Sequence, residues 1–166
     1  AMVEAFGGSL RKLGRDLDEA KDAAQAFAAE EGYLFVDDGN DPDLMEGAGT
    51  VGLEIARGLE DIDHLFVPLG GGNFISGVAT AMKALQPRAR VVGVQAKGSP
   101  AVTESFHAQR KVERECETIA DGLVTRVPPD LPFRCMIERA AEPTNTDCSK
   151  TATPSRSAPS LSARSI

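Results

Sequence analysis

His64-Leu65-Phe66-Val67-Pro68-Leu69-Gly70-Gly71-Gly72-Asn73-Phe74-Ile75-Ser76-Gly77-Val78-Ala79 is the stretch whose reading decides the fold. A short apolar run, His64 to Pro68, reads as a buried strand, and the helix period that starts at Asn73 continues to Leu85. Between them stand three consecutive glycines. Glycine reaches backbone torsions closed to other residues and lets amide N–H groups approach a ligand without a side chain in the way. A helix start adds unpaired N–H groups and a partial positive charge. Strand, glycine loop and helix start together predict a cradle for a phosphate; the alternative is a tight strand-to-helix turn with no ligand. No Gly-Lys-Ser/Thr follows, which excludes a Walker-type triphosphate loop. Gly77, one turn into the helix, is expected to let that helix pack closely on the sheet.

Outward from this centre the hydrophobic period keeps switching. Ala1 to Phe6 reads as helix, closed by Gly7-Gly8. Asp16-Leu17-Asp18 opens a helix whose apolar face is Leu17, Ala20, Ala24, Phe27 and Ala28, with Gly32 after its end. Tyr33 to Val36 reads as a short strand. Asp43 is placed to cap a helix reaching about Leu59. Arg90 to Ala96 reads as another strand, with helices expected over Pro100–Gln109 and Pro132–Ala141. Strands alternating with helices imply crossover connections and an α/β fold with an open, mostly parallel sheet flanked by helices.

The chain has 166 residues, 42% hydrophobic and 26% charged, with a net charge of −7. No apolar run approaches the roughly 20 residues of a membrane span, and the first residues lack a secretory pattern, so a cytoplasmic location is expected. The acidic balance excludes a general nucleic-acid binder, which needs clustered Lys and Arg for phosphate contacts. Three cysteines, Cys116, Cys135 and Cys148, fall in no CxxC pair and read as reduced thiols. The expected partner is a small molecule. Pro143 to Ile166 is rich in Ser, Thr, Pro and Ala, and is expected to be a disordered tail. A shifted reading frame in a GC-rich gene yields such a mixture, as does a genuine linker.

A second glycine cluster, Gly47-Ala48-Gly49-Thr50-Val51-Gly52, fits the dinucleotide pattern GxGxxG. That pattern needs a strand before its first glycine and an acidic residue at the end of the next strand. Asp41 to Glu46 stands in the first place and Pro68-Leu69 in the second. A glycine-rich helix packed tightly on its neighbour fits better. Asp37, Asp38, Asp41 and Asp43 form an acidic loop, but Gly39 and Pro42 break the EF-hand spacing. His64 and His107 have no nucleophile pattern near them. Ser76 lacks the GxSxG setting and reads as a packing or phosphate-contact residue.

Glu46-Gly47-Ala48-Gly49-Thr50-Val51-Gly52-Leu53-Glu54-Ile55, Val67 to Gly77, Val91-Val92-Gly93-Val94 and Thr118-Ile119-Ala120-Asp121-Gly122 occur in this order. Together, over about residues 1 to 142, they resemble the serine/threonine dehydratases among the tryptophan-synthase-β-like (fold type II) pyridoxal-phosphate enzymes. The resemblance implies that Gly70, Gly71, Gly72 and Asn73 hold the 5′-phosphate of pyridoxal 5′-phosphate. It implies that Gly122 lies against the pyridine ring, where a side chain would collide. It further implies an ammonia-lyase that converts a β-hydroxy amino acid to a 2-oxo acid and ammonia, and a homo-oligomer for an intact relative. Residues 1–42 would end the smaller domain and 43–142 would belong to the large cofactor-binding domain.

Departures from that family bear on activity. Its cofactor-binding lysine stands in a Ser-Phe-Lys-like context, and none of Lys12, Lys21, Lys83, Lys97, Lys111 and Lys150 does; all six read as exposed. A Ser-Gly-Asn-His-like substrate loop is missing, and the Ser or Cys that meets the pyridine nitrogen is expected beyond residue 142. The chain therefore reads as a fragment with no catalytic residue of its own. Where some members place a metal-binding Glu, this chain has Gln95, a poorer ligand for a hard cation, so no metal is expected. Two other readings are a non-catalytic binding or interaction remnant and a nicotinamide-dinucleotide-binding protein.

Overall fold

The computed structural model describes residues 2–139 and 142–146. Helix α1 spans Met2–Ala5, α2 Leu17–Glu31, α3 Pro42–Gly58, α4 Asn73–Leu85, α5 Ala101–Ala108 and α6 Asp130–Arg139. Strands β1 (His64–Pro68), β2 (Arg90–Ala96) and β3 (Glu142–Thr146) form a sheet in the order β1-β2-β3. Both pairings are parallel, with His64 opposite Arg90 and Val92 opposite Glu142. This is the expected α/β architecture, and the bounds of β1, α4 and β2 match the sequence reading.

Local chemistry sets the helix ends. Asp16 caps α2 by accepting the Glu19 N–H at 2.9 Å, and Gly32 ends it in the left-handed conformation at φ 72°. At α3 the cap is Asp41, whose carboxylate accepts the Asp43 N–H at 2.9 Å, rather than Asp43 as expected. Pro42 explains the difference: its fixed φ and missing N–H suit the first helical position.

The core joins Val67 and Leu69, Ile75, Val78, Ala79 and Met82 of α4, Val91 of β2, Val102 of α5 and Met136 of α6. Two close contacts hold it together. At Gly93 an added Cβ would lie 2.9 Å from Ile75 Cδ1 and 3.2 Å from Leu69 Cδ2, so α4 sits directly on β2. Gly77 faces the other way. Its missing side chain admits the backbone of α3, where an added Cβ would overlap Met45 O and come within 2.7 Å of the Gly49 N. On α3, Gly49 and Gly52 return the approach: Cβ atoms there would meet Gly77 O at 3.3 Å and Val78 O at 2.7 Å. The close packing expected of Gly77 against the sheet is thus performed by Gly93, while Gly77 serves the seam between α3 and α4.

Three local expectations fail where tertiary partners decide. Tyr33 to Val36 forms no strand among the described residues; Tyr33, Leu34 and Val36 are exposed, and no neighbouring strand accepts their backbone. Of the expected apolar face of α2 only Ala28 is buried, and Leu17 lies exposed. The expected disordered tail begins too early, because residues 143–146 belong to β3 and pair with Gly93 to Ala96. Parallel ladder bonds use backbone groups alone, so a polar composition does not prevent them. The remainder, 147–166, lies outside the described residues. No helix among those described is long and apolar enough to cross a membrane.

Candidate functional site

The glycine loop links β1 to α4. Leu69 extends β1 by donating its N–H to Val94 O at 2.9 Å; the chain then leaves the sheet. Gly72 precedes α4 at φ 99°, a torsion that side chains resist, and it stands close to Met136 and Pro132, with no side-chain cap. The first hydrogen bond of the helix runs from Ser76 N to Gly72 O at 3.0 Å. The N–H groups of Gly70, Gly71, Gly72, Asn73, Phe74 and Ile75 therefore find no acceptor among the described residues. Six consecutive donors without a partner at the positive end of a helix are the chemistry that suits an anion.

A cavity of about 470 Å³ opens in front of these donors. Gly70, Gly71, Gly72 and Asn73 line it together with Gly122, which is some fifty positions away in sequence. The tertiary fold makes this meeting. Glu117 N donates to Gly98 O at 2.8 Å, and an added Cβ at Gly98 would collide with that same segment. Thr125 N donates to the buried Ser99 Oγ at 3.1 Å. These bonds bind the segment carrying Gly122 to the β2–α5 connection. Within it Thr118 Oγ1 accepts the Ala120 N–H at 3.1 Å, which turns the chain into a short 3-10 turn at Asp121–Leu123. Leu123 Cα then packs against Gly70, 3.4 Å from where its Cβ would be, while a Cβ on Gly122 would meet nothing within 4 Å. Gly122 thus presents a bare backbone to open cavity.

The remaining wall mixes apolar and charged residues. Leu17, Asp18 and Lys21 of α2, with Asp38 and Gly39, line the cavity beside Thr125 and Pro129. Lys21, read from sequence as an exposed helix residue, is here a partly buried wall residue ion-paired with Asp37 and Asp38. Sequence offered no signal for it, because its partners lie in a loop sixteen and seventeen positions later. Burial disfavours the charge of Lys21, but the hydrogen bonds it donates to Asp37 and Asp38 outweigh it and raise its pKa. Burial likewise works against Asp37, yet bonds from Lys21, Asn40 and the Gly39 N–H bring its carboxyl down to about 2. Asn73 donates its Nδ2 to Asp38 O at 2.8 Å, and its Oδ1 is buried without a donor.

Other candidates resolve into structural roles. The GxGxxG residues Gly47 to Gly52 lie inside α3, with no strand before them, so their N–H groups belong to the helix and form no dinucleotide cradle. Ser76 is buried and directs its hydroxyl to Pro132 O at 3.4 Å, away from the cavity. Gln95 is fully buried; its Oε1 accepts both the N–H and the hydroxyl of Thr103, at 2.9 and 2.8 Å, and so caps the first turn of α5. Asp37, Asp41 and Asp43 are held in the turn and cap described above, and no three potential metal ligands gather among the described residues.

Residues 1–144 match the family described as pyridoxal-phosphate dependent enzyme. L-threonine ammonia-lyase of Thermotoga maritima is 40% identical over 129 residues, covering 77% of this chain and 32% of that protein. Threonine dehydratase 2 biosynthetic, chloroplastic, of Solanum lycopersicum is 37% identical over 122 residues, covering 73% of this chain and 20% of that protein. The chain thus spans no more than about a third of these relatives. Among solved structures, the processed form of threonine deaminase isoform 2 from Solanum lycopersicum superposes with a TM-score of 0.81 at 32% identity, over 87% of this chain and 43% of that one. Maize serine racemase gives 0.80 at 28% identity, over 89% and 45%. With the family match over nearly all of the described chain and the same α/β fold, the chain belongs to the pyridoxal-phosphate-dependent enzymes.

Proposed function

We propose that this chain is the phosphate-gripping portion of a serine/threonine ammonia-lyase, an enzyme that takes a β-hydroxy amino acid to a 2-oxo acid and ammonia. The observation that carries the reading is the shared cavity: residues 70–75, whose N–H groups find no acceptor among the described residues, line the same space as the bare backbone of Gly122. Those residues fit pyridoxal 5′-phosphate. Gly70, Gly71, Gly72 and Asn73 would hold its phosphate through backbone donors and the helix field, which need no lysine. Gly122 would leave room for the ring. When bound, the cofactor supplies an electron sink for the charge left at the substrate α-carbon.

This chain's own residues bind and orient; none is placed to move a proton. Among the described residues Lys21 is the one lysine on the cavity wall, and Asp37 and Asp38 hold it as an ammonium, so it has no free pair with which to attack a carbonyl. Ammonia release from L-serine or L-threonine by this chain with added cofactor is therefore expected at background. In the same reading, residues 1–42 end a smaller domain and 43–142 belong to the large one. The exposed Leu17, Tyr33, Leu34 and Val36 support this, since they are apolar groups that none of the described residues covers.

Titration of phosphate and of pyridoxal phosphate, followed by NMR amide shifts, tests the site. Gly71→Asp should weaken both ligands at least tenfold, because it sets a carboxylate among the donors. Lys97→Ala, at an exposed position outside the cavity, should change neither. Gly122→Ala should leave stability unchanged, as its Cβ meets open space, yet weaken pyridoxal phosphate more than phosphate. Equal effects of Gly71→Asp and Lys97→Ala would reduce the loop to a turn.

A further inference from the structure

The turn Asp37–Asn40 joins three parts of the cavity. Its acidic side chains hold Lys21 of α2, its Asp38 carbonyl accepts Asn73 Nδ2 at the start of α4, and Asn40 Oδ1 accepts the Leu131 N–H of α6 at 3.3 Å. Asp37 folds the turn on itself by accepting the Gly39 N–H and Asn40 Nδ2, both at 2.8 Å. Gly39 is buried against Pro129, where an added Cβ would sit 2.9 Å from its Cγ. Two carboxylates therefore stand beside a cavity built to receive an anion. A third, Asp18, lines the same wall and is paired with Arg126 at 3.4 Å. Lys21 is the cation within reach of the first two.

We propose that Lys21 is a positioning residue for the anion cradle. It offsets one of the two negative charges of Asp37 and Asp38, so that the turn can stand against Asn73 and the start of α4 with less repulsion of a bound phosphate. Lys21 acts through the turn and takes no part in bond making. The inference rests on the cradle reading given above and adds a residue that lies outside every glycine motif. In the absence of the ammonium, the two carboxylates would repel each other and the incoming anion, and the turn would swing away from Asn73.

The test uses the full chain and inorganic phosphate, at low and at high salt. Lys21→Met keeps the aliphatic stem and removes the charge; it should weaken phosphate roughly five- to tenfold at low salt and much less at 0.5 M salt, where charges are screened within about a Debye length. Adding Asp38→Asn to that variant should restore most of the loss, because the turn and its partner then carry the same net charge as in the parent. Lys21→Arg should bind like the parent, and so should Lys83→Met, which removes an exposed lysine of α4. In the ligand-free chain, Lys21→Met should also shift the side-chain amide signal of Asn73, which reports the bond to Asp38 O without any ligand. Unchanged phosphate affinity in Lys21→Met, a loss that salt does not reduce, or a loss that Asp38→Asn does not rescue would each overturn the positioning role. Parent binding that survives Gly71→Asp would instead overturn the cradle on which it rests.

Discussion

A methyl group at Gly77 is the sharpest probe of how this fold is held. Gly77 lies in the middle of α4 and faces α3 at backbone distance: its added Cβ would overlap Met45 O, stand 2.7 Å from Gly49 N and 3.0 Å from Ala48 Cβ. Ordinary contact begins near 3.4 Å, so α3 would have to retreat by about 1 Å at Met45 O, and its atoms there are mainly backbone, which cannot rotate aside. That retreat also loosens Gly52 from Val78 and Ala81. Overpacking of this kind costs about 3 kcal/mol, while replacing glycine by alanine inside a helix returns about 1 kcal/mol, leaving Gly77→Ala less stable by about 2 kcal/mol. Gly47→Ala supplies the control. It sits in α3, exposed, and its added Cβ meets nothing within 4 Å, so only the propensity gain remains, about 0.5–1 kcal/mol of stabilisation. Urea denaturation followed by far-UV circular dichroism separates the two. With a slope near 2 kcal/mol per molar, the Gly77→Ala midpoint should fall by about 1 M and that of Gly47→Ala should rise slightly. Midpoints that move together, or a Gly77→Ala midpoint within about 0.3 M of the parent, would refute the account of the seam.

Two further outcomes follow from single residues. Gln95→Leu should destabilise the chain by about 1–2 kcal/mol in the same urea assay, because Thr103 loses its acceptor at the start of α5 while removal of the buried, unpaired Gln95 Nε2 offsets part of the cost. Asp37 makes the fold sensitive to acid. Its carboxyl is lowered from 3.8 to about 2, so its contribution is fully present above the unfolded value and is lost as pH falls through the folded one. Discounted for solvent screening, about 1 kcal/mol should disappear between pH 4 and 2, and Asp37→Asn should flatten that part of the stability profile.

Much of the site was legible because its signals are local. The bounds of β1 and α4 follow from an apolar run, three glycines and a resumed helical period, all within one stretch of chain, and these fix the free N–H groups wherever the rest of the chain goes. The cap at Asp41 was misplaced by two residues since two acidic groups flank one proline, and only the backbone shows which side chain turns back. That Gly122 shares a cavity with Gly70 was reachable from sequence only by resemblance, for no periodicity links positions fifty apart.

By itself, then, the sequence determined the alternation of strands and helices, the uncapped helix start after three glycines and the exclusion of the GxGxxG cluster as a dinucleotide site. Hydrogen bonds and torsional preferences within a turn or two encode these, so no distant partner can change them much. The tertiary structure decided what depends on distant surfaces. It assigned Gly77 to α3 and Gly93 to the sheet, left Tyr33 to Val36 without a strand partner, and drew residues 143–146 into β3. It also turned Lys21 from a solvent-facing residue into part of the cavity wall. Close approach of two backbones and pairing of an ammonium with carboxylates are properties of pairs, and a pair exists only once the chain has folded.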